Sequence, residues 1–454
     1  MSSNPPKYLS TTNACKLCAP LGASLAFKGV AGAVPFLHGS QGCATYMRRY
    51  LISHFNEPID IASSALGEKN AIFGGGPNLK LGLTNVIKKY HPELIGVATT
   101  CLTETIGDDV ARFLAEYIRE VNDPTLLPRI VRVSTPSYSG THMEGFHAAV
   151  TALIAALAEG GEANGIVTLL PGLVSPADLR HLKEIMAEFG LDSVLLPDYS
   201  DTMDGQAASR YEKIPTGGTT LEQIRSTGAG RAVIEFGRTL GESPSGGTVL
   251  KTRFGLARHR LGMPIGIRES DAFLALLAEL SGRPSLPASL QAERGRLIDS
   301  LIDGHKYLFG KRAVVYGEED LVVGLTAFLS EIGVRPVLCA SGGRSGHLQA
   351  AVSAVSEGFL PEAPLVREDT DFFEIAEEAT ALAPDLIIGH SKGYHLARRL
   401  NIPLIRLGFP IHDRLGGQRL LHLGHRGAQR LFDEIVNTVI SRQQERSPVG
   451  YSYM

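Results

Sequence analysis

Residues 165–196 read GIVTLLPGLVSPADLRHLKEIMAEFGLDSVLL, and this stretch decides the fold class. Gly165–Leu170 is a short apolar run bounded by turn residues, the signature of a buried strand. Ser175 and Pro176 follow as an N-cap and a first helical residue, with Asp178 in the first turn. Leu179, Leu182, Ile185, Met186 and Phe189 recur at helical spacing, and Gly190 is placed to end the helix. Ser193–Leu196 then returns as a second strand. A strand, a helix and a strand in that order form a βαβ unit, which pairs its strands in parallel.

The same grammar recurs on both sides. Downstream, Arg312–Tyr316 (RAVVY) precedes a helix carrying Val322, Leu325, Phe328 and Leu329, then strands Pro336–Cys339 and Asp385–Ile388. Upstream, Val34–Leu37, Leu94–Ala98 and Ile130–Val133 read as strands, and Pro20–Phe27 as a helix. A chain of 454 residues exceeds one core. The reading is α/β with parallel sheets in three domains, 1–160, 161–305 and 306–454, with helix Ala288–Asp303 leading into the third. Absence of Trp and 50 Gly fit many tight strand-to-helix turns.

Composition excludes several function classes. With 44% hydrophobic and 20% charged residues, the chain has an ordinary globular profile. A formal net charge of −3 argues against nucleic acid or an anionic membrane as partner. The first residues, MSSNPPKYLSTTNACK, lack the apolar run of a secretory signal. The longest apolar stretch, Ala148–Ala158, is too short to span a bilayer. The expected location is cytoplasmic.

Cysteine placement is the most informative local feature. Five cysteines in such a chain make no disulfide framework. Four of them, Cys15, Cys18, Cys43 and Cys101, fall in the first quarter, and Cys339 stands alone. In open parallel sheets, sites form beyond the carboxyl ends of strands. Cys43 follows Val34–Leu37 within HGSQGC, Cys101 follows Leu94–Ala98 within TTC, and Ser137 follows Ile130–Val133 within TPS. If these strands share a sheet, the three residues emerge along one edge, and Cys18 can close over it. Converging thiolates suit a soft metal site or an iron–sulfur cluster. Each cysteine by itself reads more readily as core filler, and it is the three together that raise the metal reading. Cys15-x-x-Cys18 raises zinc or redox chemistry, but no second CxxC or His pair completes a zinc site. Gly74-Gly75-Gly76 lacks the GK[ST] or GxGxxG context of a phosphate cradle. His38 is expected to order the turn before Cys43. Glu104, Asp108 and Asp109 look like a catalytic carboxylate cluster, but read equally well as acidic residues at helix starts. His390 and Lys392 read as lining a cleft or interface.

Several motifs together resemble the β-type (K/N-type) subunit of the nitrogenase component 1 family. They are Cys18-Ala-Pro-Leu-Gly-Ala23, His38-Gly-Ser-Gln-Gly-Cys43, Phe73-Gly-Gly75, Thr99-Thr-Cys101 with Glu104 and Gly107-Asp108-Asp109, and Thr135-Pro-Ser137. Pro171-Gly-x-x-Ser-Pro176 and Pro403–Pro410 with Asp413-Arg414 extend the similarity over nearly the whole chain. The resemblance implies the component 1 fold, three Rossmann-like α/β domains. It implies that Cys18, Cys43 and Cys101 hold half of an 8Fe-7S P-type cluster shared with an α-type subunit. Cys43 matches the cysteine that bridges the cluster halves, and Ser137 a serine that ligates the oxidised cluster in some members. Cys15 has no counterpart ligand, and Cys339 reads as packing. The family pairing is an α2β2 heterotetramer served by an ATP-dependent iron protein as electron donor. The substrate-reducing cofactor lies in the α-type partner, so this chain's expected role is electron relay. Two functions resemble it: a nitrogenase-like reductase, such as methylthio-alkane reductase, and the N-type scaffold of cofactor assembly, for which a 4Fe-4S cluster suffices. Arg48–Phe55 (RRYLISHF) and Pro197–Asp201 (PDYSD) resemble N-type chains. The complete cysteine set favours the reductase.

Overall fold

The computed structural model describes residues 14–449 except 122, 124, 126, 208, 242 and 243. The reading of the first residues as lacking a secretory signal lies outside this range, save for Ala14 to Lys16. Three parallel sheets organise the chain. The first comprises β1 (Ala33–His38), β2 (Ala62–Ser63), β3 (Leu94–Thr99) and β4 (Arg129–Val133), in the order β2-β1-β3-β4. The second holds β5 (Val167–Leu170), β6 (Ser193–Leu195), β7 (Ala232–Phe236) and β8 (Ala257–Leu261), ordered β6-β5-β7-β8. The third is built of β9 (Arg312–Tyr316), β10 (Arg335–Ala340), β11 (Leu365–Arg367), β12 (Leu386–Gly389) and β13 (Leu404–Arg406). Its order is β11-β10-β9-β12-β13. Each order places early strands centrally and switches direction of growth, the condition that opens a crevice at the strands' carboxyl ends.

Local chemistry explains the elements. The helix Pro176–Glu188 starts at Ser175, whose hydroxyl accepts from the Asp178 N–H at 3.0 Å while the Asp178 carboxylate accepts from Ser175 N–H at 3.1 Å. That reciprocal pair is a capping box. Leu179, Leu182, Ile185 and Met186 are buried along its inner face, and Gly190 follows with φ +67°. The strand expected from Gly165 begins at Val167 instead. Gly165 has φ +74°, a left-handed turn that no strand accommodates. The helix expected over Ala288–Asp303 runs on to Leu308. The C-terminal helix Gly424–Arg446 packs chiefly against Gly266–Ser281 and Ala288–Leu308, and also touches β13 at the edge of the third sheet. Its buried face carries Leu431, Phe432, Ile435, Val436 and Val439.

One helix pair positions the site. Helix Ala19–Lys28 is buried along its whole length and lies against helix His142–Leu157. Gly22 faces the His142 carbonyl and Gly145 faces the Ala19 carbonyl, each with no room for a Cβ. Two glycines thus let the backbones approach, and they fix the height of Cys18 above the first sheet. No helix among the described residues is long and apolar enough to cross a membrane.

Candidate functional site

Strand register brings the expected residues to one edge. Along β1 and β3, His38 pairs with Thr99, and along β3 and β4, Ala98 pairs with Val133. The three strands therefore end level, and the segments bearing Cys43, Cys101 and Ser137 leave side by side.

Each cysteine stands at the start of a helix. Cys18 is the N-cap of helix Ala19–Lys28 and forms an isolated antiparallel bridge with Thr141. Cys43 lies in the first turn of helix Gln41–Phe55, where the Ser40 hydroxyl accepts from its N–H at 3.4 Å. Cys101 is the first residue of helix Cys101–Ile106. Helix N-termini present unpaired N–H groups and a partial positive charge, which favour thiolates. Cys18 and Cys101 are exposed and Cys43 is half-buried, whereas Cys15 and Cys339 are buried.

Ser137 joins two of the three. Its N–H donates to Cys101 Sγ at 3.2 Å, and its hydroxyl accepts from Ala19 N–H at 3.2 Å. Desolvation pushes the Cys18 thiol above its ordinary value. The Ser137 hydrogen bond opposes that shift, and charge on Cys101 and Cys43 adds to it. Yet among the described residues no three His, Cys, Asp or Glu side chains converge on a point where one ion could sit. Thiols spread over three helix starts suit a polynuclear iron–sulfur cluster better than a lone ion.

The remaining expectations resolve into support structure. His38 is fully buried; its Nδ1 lies 3.0 Å from Ser64 Oγ and its Nε2 3.0 Å from Asp108 Oδ2. Ser64 in turn accepts from Gly39 N–H at 2.9 Å, so His38 holds the turn before Cys43 through Ser64. Asp108 accepts the Gly75 N–H on both oxygens at 3.1 Å, so that glycine amide is committed to a carboxylate of its own chain. Asp109 caps the next helix by accepting from Arg112 N–H at 3.0 Å. Glu104 accepts from the hydroxyls of Thr99 and Ser134, both at 2.5 Å, tying the ends of β3 and β4 together. Cys339 packs in the core with Thr326 Oγ1 at 3.2 Å, and burial pushes its thiol up to about 12.

Sequence reasoning missed how the segment before Cys18 is held. Residues Ala14–Cys18 form a strap between the third sheet and helix His142–Leu157. Ala14 bridges to Asp371, Lys16 Nζ meets Asp369 at 2.8 Å, and Leu17 N–H donates to His142 Nδ1 at 3.3 Å. His142 Nε2 lies 3.0 Å from the buried Glu318 carboxylate. Cys15, within the strap, is buried 3.8 Å from His390 Nε2, and burial pushes its thiol up to about 12. The one available signal was the acidic run Glu318-Glu319-Asp320, which reads as a solvated helix start but is buried.

Comparison with known proteins places the chain as a whole. The family described as "Nitrogenase component 1 type Oxidoreductase" matches residues 18–440. The chain is 35% identical over 434 residues to the nitrogenase molybdenum-iron protein beta chain of Clostridium pasteurianum, covering 95% of this chain and 93% of that one. It is 37% identical over 437 residues to the corresponding beta chain of Methanothermobacter thermautotrophicus, covering 94% of each. It is also 31% identical over 446 residues to the nitrogenase iron-molybdenum cofactor biosynthesis protein NifN of Bradyrhizobium diazoefficiens, covering 97% of this chain and 92% of that one. The solved structure "Nitrogenase Cp1 at pH 6.5" superposes with a TM-score of 0.94 at 32% identity, covering 99% of this chain and 98% of that one. From its cysteine-bearing sheet edge to its whole-chain kinship with beta chains, this protein belongs to the nitrogenase component 1 type oxidoreductases, as a β-type subunit.

Proposed function

We propose that the chain holds half of an interface P-type iron–sulfur cluster and relays electrons from an ATP-dependent iron protein to a cofactor in an α-type partner. The observation that carries this is the level exit of three strands, which sets Cys43, Cys101 and Ser137 along one edge with Cys18 closing over it. Cys18, Cys43 and Cys101 would hold the cluster, which when bound supplies reversible storage of electrons. The chain's own residues then do three things. Helix starts hold each cysteine at the sheet edge, Ser137 links the Cys18 and Cys101 segments, and His38 with Ser64 fixes the turn before Cys43.

A half-cluster requires a partner to close it. Tyr46, Ile72, Phe73 and Tyr138 are exposed, and Tyr46 and Tyr138 stand within three residues of Cys43 and Ser137. Exposed apolar side chains beside the site's cysteines suit a surface that a homologous α-type subunit covers, giving an α2β2 heterotetramer. Domain boundaries near 160 and 305 fall between the three sheets, and we propose them on that basis.

Kinship to the cofactor-biosynthesis protein keeps a scaffold as the second reading. Iron counting and EPR on the complex separate the two. A relay subunit should show about eight irons per interface cluster and support catalytic reduction of a small substrate with iron protein and ATP. A four-iron cluster, with transfer of a cofactor to an apo-nitrogenase, would establish the scaffold instead.

A further inference from the structure

Lys392 follows β12 in the third sheet, far in sequence from the cysteines. Its Nζ donates to the Ala14 carbonyl at 3.1 Å and to the Lys16 carbonyl at 3.4 Å, and it sits 5.8 Å from the centre of the Tyr50 ring. None of these contacts is a carboxylate. Glu318 lies near enough to act on it through charge, but Glu318's hydrogen bond goes to His142. Thus a part-buried ammonium is clamped to the strap, its second carbonyl belonging to Lys16, two residues before Cys18.

We propose that Lys392 is a positioning residue of the cluster site: it anchors the strap by two carbonyls and sets a fixed positive charge beside the Cys18 end of the half-cluster. This rests on the cluster-holding reading above. A cation in a poorly solvated place favours the more negative, reduced state of an adjacent centre, because charge interactions strengthen as the local dielectric falls. Oxidation state at the Cys18 end would then be biased by a residue that follows a strand of the third sheet and is not itself a ligand.

The test uses the complete complex carrying Lys392→Met, which keeps the stem and removes the charge, and Lys392→Arg, which keeps the charge. Interface clusters are titrated with dithionite and mediators under EPR, with iron counted in each sample. We expect wild-type iron in Lys392→Met and, at any fixed potential, about a tenfold lower ratio of reduced to oxidised cluster. For a one-electron step that is about 59 mV. Lys392→Arg should return to the wild-type titration. Loss of iron in the Met variant with retention in the Arg variant would also support the charge-dependent anchor. An unchanged titration in Lys392→Met, or loss of iron in both variants, overturns the proposal. An absence of iron in the wild-type complex would overturn the cluster reading itself, a result distinct from either.

Discussion

Ser137 and Cys101 are joined by a backbone hydrogen bond, the serine N–H donating to the cysteine sulfur at 3.2 Å. That bond does not depend on the serine side chain, whereas the contact with the Ala19 N–H does. Ser137→Ala should therefore keep wild-type iron in the complex and change only the EPR spectrum of the oxidised state. Loss of half or more of the iron would show that the hydroxyl is needed to build the site.

Cys43→Ala should remove most of the interface iron, and Cys15→Ala should leave it nearly intact. The contrast follows from placement. Cys43 stands half-buried at a helix start on the site edge, while Cys15 is sealed in the core against His390. Cys15→Ala instead removes a buried sulfur, at a cost of about 1–2 kcal/mol. Iron and sulfide analysis of both purified complexes decides it.

Gly145→Ala tests the helix contact that sets the height of Cys18. A methyl group there meets the Ala19 carbonyl, one residue after Cys18, so the helices must part. We expect about 1–3 kcal/mol of destabilisation from overpacking, with iron content lowered well below wild type. Thermal unfolding and iron analysis on the same preparation provide the readouts. Iron at the wild-type level in a destabilised variant would separate packing from cluster geometry.

Without its partner the chain should associate with itself or precipitate, because Tyr46, Ile72, Phe73 and Tyr138 would meet water together with the open thiols. Sedimentation velocity of the chain alone, against the co-expressed complex, measures this. A monodisperse monomer carrying a complete cluster would contradict the shared interface.

His54 makes acid sensitivity predictable. It is buried, its Nδ1 accepts from Ile411 N–H at 2.9 Å, and burial pushes its pKa down to about 3. Between the unfolded value of about 6.5 and that depressed value, only the unfolded chain takes the proton. The stability this residue contributes is therefore complete above about pH 6.5 and is lost as pH falls towards 3, by up to about 1.4 kcal/mol per pH unit. His54→Gln should flatten this part of the curve of thermal midpoint against pH. An identical slope in the variant would assign the acid sensitivity to other groups, such as His390, which burial also pushes down to about 3.

The features that the sequence determined by itself are periodic or local. The βαβ grammar of 165–196 rests on caps and apolar spacing between near neighbours in the chain, so the helix from Ser175 and the strand after Gly190 are legible from residue order alone. Cys43, Cys101 and Ser137 are legible as a group because each lies just beyond a strand, and parallel strands deliver the segments at their carboxyl ends to one edge. Only the tertiary structure decided the pairings between residues far apart in the chain. Lys392 meets the carbonyl of Ala14, His142 meets Glu318, and the C-terminal helix packs chiefly on the two helices that precede the third sheet. The physical reason is the same in each case: buried charges and polar backbone must find partners wherever the fold brings them, and no sequence period records that distance.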